Sequence, residues 1–103
     1  MRSLLALASV LHAKPAPVLA ALADVLAVDG AYERRGSGLE RLLPVFGVEQ
    51  WRVFAVEEGS RLECELASGA ASSALAGVFL RRRIRAAPER FRAVVTAVAD
   101  AVE

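Results

Sequence analysis

Apolar residues recur every three to four positions along much of the chain, and that spacing predicts helices. Residues 3–13 read as a first helix: Ser3 is placed to cap it, and Leu4, Leu7, Ala8 and Leu11 share one stripe. Pro15 and Pro17 follow, in positions that the first turn of a helix tolerates. A second helix is then expected to about Val28, with Val18, Leu22, Val25 and Leu26 on one side and Leu19 and Ala23 beside them. From Ser3 to Val28 only Lys14 and Asp24 carry charge, so both opening helices are apolar almost all round. Helices of that kind are buried centrally or against a partner.

Ser37-Gly38-Leu39-Glu40 has the spacing of a capping box, which predicts a short third helix with Leu39, Leu42 and Leu43 inward, disturbed by Pro44 and closed by Gly47. Residues 51–66 support two readings. As strands, Trp51 to Val56 is rich in β-favouring types, Glu58-Gly59-Ser60 turns, and Leu62, Cys64 and Leu66 alternate inward against Arg61, Glu63 and Glu65. As a helix, Trp51, Ala55, Leu62 and Leu66 share a stripe, but Gly59 mid-helix costs about 1 kcal/mol. The hairpin is the preferred reading. A helix is expected from Ala70 to about Ala87, with Leu75, Val78, Phe79 and Arg82 on one face. Pro88 is expected to start the last helix, whose stripe is Phe91, Val94, Val95, Val98 and Val102. The expected architecture is mainly α: a compact helical domain of about five helices with a β-hairpin at 51–66, or else an all-α six-helix bundle.

Composition bounds the rest. A chain of 103 residues is one domain, 1–103, large enough to bury about two-thirds of its surface without disulfides. Thirteen Lys+Arg against 12 Asp+Glu leave a net charge of +1, which excludes a strongly basic nucleic-acid protein. With Cys64 as the one cysteine, no internal disulfide forms. Arg outnumbers Lys 12 to 1 and Asn is absent, the bias of a GC-rich, bacterial-like genome, so arginine abundance alone is discounted as a functional signal. Arg2 before Leu4–Leu11 loosely imitates a secretory signal, but the apolar run is short and the cleavage pattern indistinct. His12, Lys14, Pro15, Pro17 and Asp24 interrupt Leu4–Val28, so no membrane span is expected and the protein is read as cytoplasmic.

Little chemistry is written in the chain. His12 is the sole histidine, and at the end of an apolar helix its partial charge suits the helix dipole. Cys64, between inward Leu62 and Leu66, reads as a small buried hydrophobe with a raised pKa. No catalytic, cofactor-binding or metal-binding residue is identified, no cofactor is expected, and the chain is read as non-enzymatic. Arg81, Arg82, Arg83 and Arg85 would point in nearly all directions on a helix; their stems can cover apolar surface, and their heads could contact nucleic acid or an acidic partner. Over residues 3–66, the order helix, helix, helix, hairpin resembles a winged-helix DNA-binding domain with the hairpin as wing. That resemblance implies DNA binding through the 51–66 hairpin, with Arg81–Arg85 in support.

Burial favours another function. Two consecutive helices apolar on most faces cannot both be central in so small a monomer, so one should expose a patch that demands a partner. The favoured reading is a protein–protein interaction or assembly module: a homodimer, or an adaptor for another protein. Its interface would draw on Leu5, Val10, Leu19, Leu22 and Leu26.

Overall fold

Leucine alternates with smaller residues along Leu5-Ala6-Leu7-Ala8-Ser9-Val10-Leu11, and the chain follows that period of two instead of the helical one. The structure is a computed structural model that describes residues 2–43, 47–68 and 74–103. Strand β1 is Arg2–Leu11, followed by helix α1 (Pro15–Leu26) and a single 3-10 turn at Ala27–Asp29. Strands β2 (Glu33–Arg35), β3 (Gly38–Leu43), β4 (Gly47–Val56) and β5 (Gly59–Ser68) come next, and helix α2 (Ala74–Val102) closes the chain. The strands form one antiparallel sheet in the order β1-β5-β4-β3-β2. The segment containing α1 thus carries the chain from one edge of the sheet to the other, and the meander β2–β5 brings it back beside β1.

The mainly-α expectation is overturned, and so is the six-helix alternative: among the described residues, five strands and two α-helices stand where about five helices and one hairpin were expected. Each correction has a local cause. In residues 3–13, Leu and Ala are good helix formers and fit both periods; pairing with β5, which sets Leu7 opposite Cys64, decides for the strand. Ser37 caps no helix. It turns β2 into β3 with Gly36, which adopts φ +57, and its carbonyl accepts the Val53 N–H at 3.0 Å. Gly38 is required next, because a β-carbon there would overlap the Trp51 carbonyl oxygen. Pro88 starts no helix either; it lies inside α2. The winged-helix resemblance loses its basis, since its first and third helices are strands and the 51–66 hairpin is the centre of the sheet. Pro44 and residues 70–73, which the helical reading used, lie outside the described residues, as does the Leu75 side chain.

Alternation gives the sheet two unlike faces. One row runs through Leu7, Leu62, Cys64, Trp51, Val53 and Leu39, and joins Val18, Leu19, Leu22 and Leu26 of α1 and Phe91, Val94 and Val98 of α2 in a single core. The opposite face bears Glu40, Gln50, Arg52, Arg61, Glu63 and Glu65, linked to one another by hydrogen bonds and ion pairs such as Arg61–Glu63 at 2.7 Å. Helix α1 starts with Pro15 in its first turn, as its sequence implied, and buries the stripe Val18, Leu19, Leu22 and Leu26. At about 1.5 Å per residue, the 29 residues of α2 match the 42 Å length of the whole molecule. No helix among the described residues is long and apolar enough to cross a membrane.

Candidate functional site

The inward row of β4 reads Glu49, Trp51, Val53: one acid in a line of core residues. Glu49 is fully buried. An ionised carboxylate in that position must be surrounded by donors, and this one has five. Its Oε2 accepts the Tyr32 hydroxyl at 2.6 Å and the Trp51 indole Nε1–H at 2.6 Å, and pairs with Arg90 Nη1 at 3.0 Å. Its Oε1 accepts Arg41 Nη2 and Arg83 Nη2, both at 3.2 Å. The donors come from β4 itself, the segment before β2, β3 and α2, so one carboxylate ties four parts of the chain together.

The partners are held in turn. Arg90 Nη2 donates to Asp29 Oδ2 at 2.9 Å and to the Tyr32 oxygen at 2.8 Å, while Arg41 Nη1 donates to the Asp29 carbonyl at 2.9 Å. The Arg41 guanidinium lies 4.7 Å from the centre of the Tyr32 ring, and Trp51 stacks on Phe91 with ring centres 5.7 Å apart and planes 16° from parallel. Arg41 Nε is buried with no hydrogen-bond partner among the described residues.

Beside this cluster, between α2 and the sheet, is a cavity of about 500 Å³, within the range of small-molecule sites. The sheet side contributes Arg41, Glu49, Trp51, Cys64 and Leu66, with Asp29 from the 3-10 turn. Helix α2 contributes Phe79, Arg82, Arg83, Ala86, Ala87, Arg90 and Phe91, a single stripe at steps of three and four. That stripe runs across Pro88 and exists only because α2 is one helix. Small Ala86 and Ala87 in its middle leave the space open.

The ionisable groups here are held far from neutrality. Burial by itself would push the Glu49 carboxyl up, but the hydrogen bonds from Trp51 and Tyr32 and the Arg90 charge outweigh it and hold it at about 2. Burial, reinforced by the hydrogen bond to Glu49, raises the Tyr32 hydroxyl to about 12. Burial and the nearby Glu49 charge likewise push the Cys64 thiol up to about 12. Burial works against the Arg90 charge, yet Glu49 beside it raises its pKa further. The site is a set of fixed charges around an apolar wall. Compared with protein families, curated proteins and solved structures, the chain matches none.

The residues singled out from the sequence are dispersed. Leu19, Leu22 and Leu26 are buried in the core of the single chain; Leu5 is half-buried in β1, and Val10 is exposed there. The arginine cluster splits: the exposed Arg82 and half-buried Arg83 line the cavity, while Arg81 and Arg85, both exposed, do not. His12 follows a strand, not a helix, and its backbone N–H donates to Glu103 Oε2 at 2.9 Å. Cys64 is buried, facing the core. Glu49, Tyr32, Arg41 and Arg90 were missed as a site. The available signal was an acid one step before Trp51 on an alternating row, visible once the strand is started at Gly47.

Proposed function

We propose that the protein binds a small organic molecule in the cavity between α2 and the sheet. The observation that carries this reading is the buried Glu49 cluster forming one wall of a roomy space whose other walls include Trp51, Phe91 and Leu66. So many convergent polar groups exceed what packing requires, and they hold the wall rigid for a ligand. Binding is favoured over catalysis because Glu49, Tyr32 and Cys64 are all held well away from neutral pH, where an acid–base or nucleophilic group must be poised. The experiment is a titration with octanol, octanoate and octylamine, read by the fluorescence of Trp51, the one tryptophan. A saturable change that disappears in Ala87→Phe, which fills the space, is the expected result; absence of saturation with all three sinks the reading.

Self-association is retained as a second reading, moved from helices to the edge of the sheet. Among the described residues, strand β1 pairs only with β5; it carries no charge from Ser3 to Leu11 and is regular from Leu5 onward. The opposite edge, β2, is three residues of Glu33-Arg34-Arg35. Charge and shortness are how an edge is protected, and β1 is ten residues long with no charge after Arg2. Two copies pairing antiparallel about Ala8 would set Leu5 opposite Leu11 and Ala6 opposite Val10, with no like charges opposed. Light scattering at micromolar concentration should give a dimer that Val10→Lys returns to a monomer. A wild-type monomer at that concentration removes this reading and leaves the cavity untouched.

A further inference from the structure

Taking the cavity as a ligand site, we infer that its ligand is an organic anion, with an acidic head against Arg82 and an apolar body reaching Trp51 and Phe91. Charge comes first. Four arginines, Arg41, Arg82, Arg83 and Arg90, line the cavity against two carboxylates, Glu49 and Asp29. That surplus, part of it on the exposed Arg82, attracts negative charge.

Hydrogen-bonding capacity points the same way. The acceptors are already occupied: both Glu49 oxygens are shared among five donors, and Asp29 Oδ2 takes Arg90. An ammonium ligand would find few free acceptors and several cations. Donors, in contrast, are left over. Among the described residues Arg82 has no ion pair or hydrogen bond, and Arg83 makes only its contact to Glu49. A carboxylate accepts from guanidinium groups by paired, charge-assisted hydrogen bonds, which suits this set of spare donors.

Geometry sets the size and polarity of the rest of the molecule. Along α2, Arg82 and Phe91 are nine residues apart, or roughly 13 Å at the helical rise. The stacked Trp51–Phe91 pair offers an apolar end wall, and Ala86 and Ala87 between the two ends project little into the space. An acid with an acyl or aryl body of six to ten carbons, as an order-of-magnitude length, spans head to wall at the carbon spacing of an extended chain.

The test compares octanoate, octanol and octylamine, which share an eight-carbon chain and differ in charge, by Trp51 fluorescence on the full chain. Octanoate should bind about tenfold or more tighter than octanol, with octylamine weakest, as expected for hydrogen bonds to a charged head. Arg82→Gln should weaken octanoate by about tenfold, leave octanol within a factor of two, and be partly rescued by Arg82→Lys. Octanoate affinity should also fall with added salt, while octanol affinity does not. Octanol binding as tightly as octanoate, or octanoate indifferent to Arg82→Gln, would overturn the anion inference with the cavity reading intact. Failure of all three probes overturns the cavity reading, and this inference with it.

Discussion

Between Gly77 and Arg90 no described side chain of α2 is fully buried, whereas between Phe91 and Val102 the same helix turns Phe91, Val94 and Val98 into the core. Pro88 lies near the boundary and deprives the Ile84 carbonyl of its helical donor. The C-terminal half packs against α1 and fills space; the N-terminal half faces the sheet across a cavity and reaches it through Arg83 to Glu49. One continuous helix therefore has a packed half and an open half lined with arginines. The packed half is apolar with a regular stripe, and the open half keeps arginines and alanines where a core would have leucines.

Substitutions on either side of Pro88 should sharpen this contrast. The largest effect is expected from Val98→Asp, which leaves an unpaired charge in a fully buried position. A loss of about 3–5 kcal/mol would show as the absence of a cooperative thermal transition; a variant that melts like wild type would mean the C-terminal half is not the anchor it looks to be.

Next comes Glu49→Gln, which removes the charge that holds the open half to the sheet. The Glu49 carboxyl sits at about 2 against its ordinary 4.5, so its stabilisation is fully present above about pH 4.5 and is lost as pH falls toward 2. That shift corresponds to about 3 kcal/mol at most. Urea midpoints between pH 6 and pH 2.5 should fall steeply in wild type and more gently in Glu49→Gln. Parallel curves would show that other carboxyls, not this one, govern acid stability.

Smallest in stability is Phe79→Ala, in the open half, where the ring is 49% exposed. Its melting temperature should stay within the equivalent of about 0.5 kcal/mol of wild type, while octanoate binding weakens several-fold. A large loss of stability instead would place the N-terminal half in the core and erase the distinction.

The packed half of α2 was legible from sequence because Phe91, Val94, Val98 and Val102 repeat at helical spacing with polar residues between them. Helix α1 was legible for the same reason, and Pro15 marked its start. The hairpin at 51–66 showed through the alternation of Leu62, Cys64 and Leu66. Strand β1 was hidden because Leu and Ala satisfy two periods at once, and the choice is made by β5, far away in sequence. Strand β3 was hidden behind a genuine local helix signal at Ser37 and Glu40 that sheet pairing overrode. The site itself was hidden by chemistry more than by geometry. Arg83 and Arg90 look like solvated charge until Glu49 is placed opposite them, and Pro88 argued against the continuous helix that aligns them.

The position of β1 has a consequence for synthesis. Leu7 is opposite Cys64, so this strand leaves the ribosome well before β5 and has no partner until β5 has emerged. The meander from β2 to β5 can zip up neighbour by neighbour, each turn closing a short loop. The oily strand β1 must wait outside it and then dock on β5 as an edge strand, across the whole stretch of chain between them. Folding speed, more than final stability, is the quantity this arrangement taxes, and the nascent chain is most vulnerable to sticking during that interval.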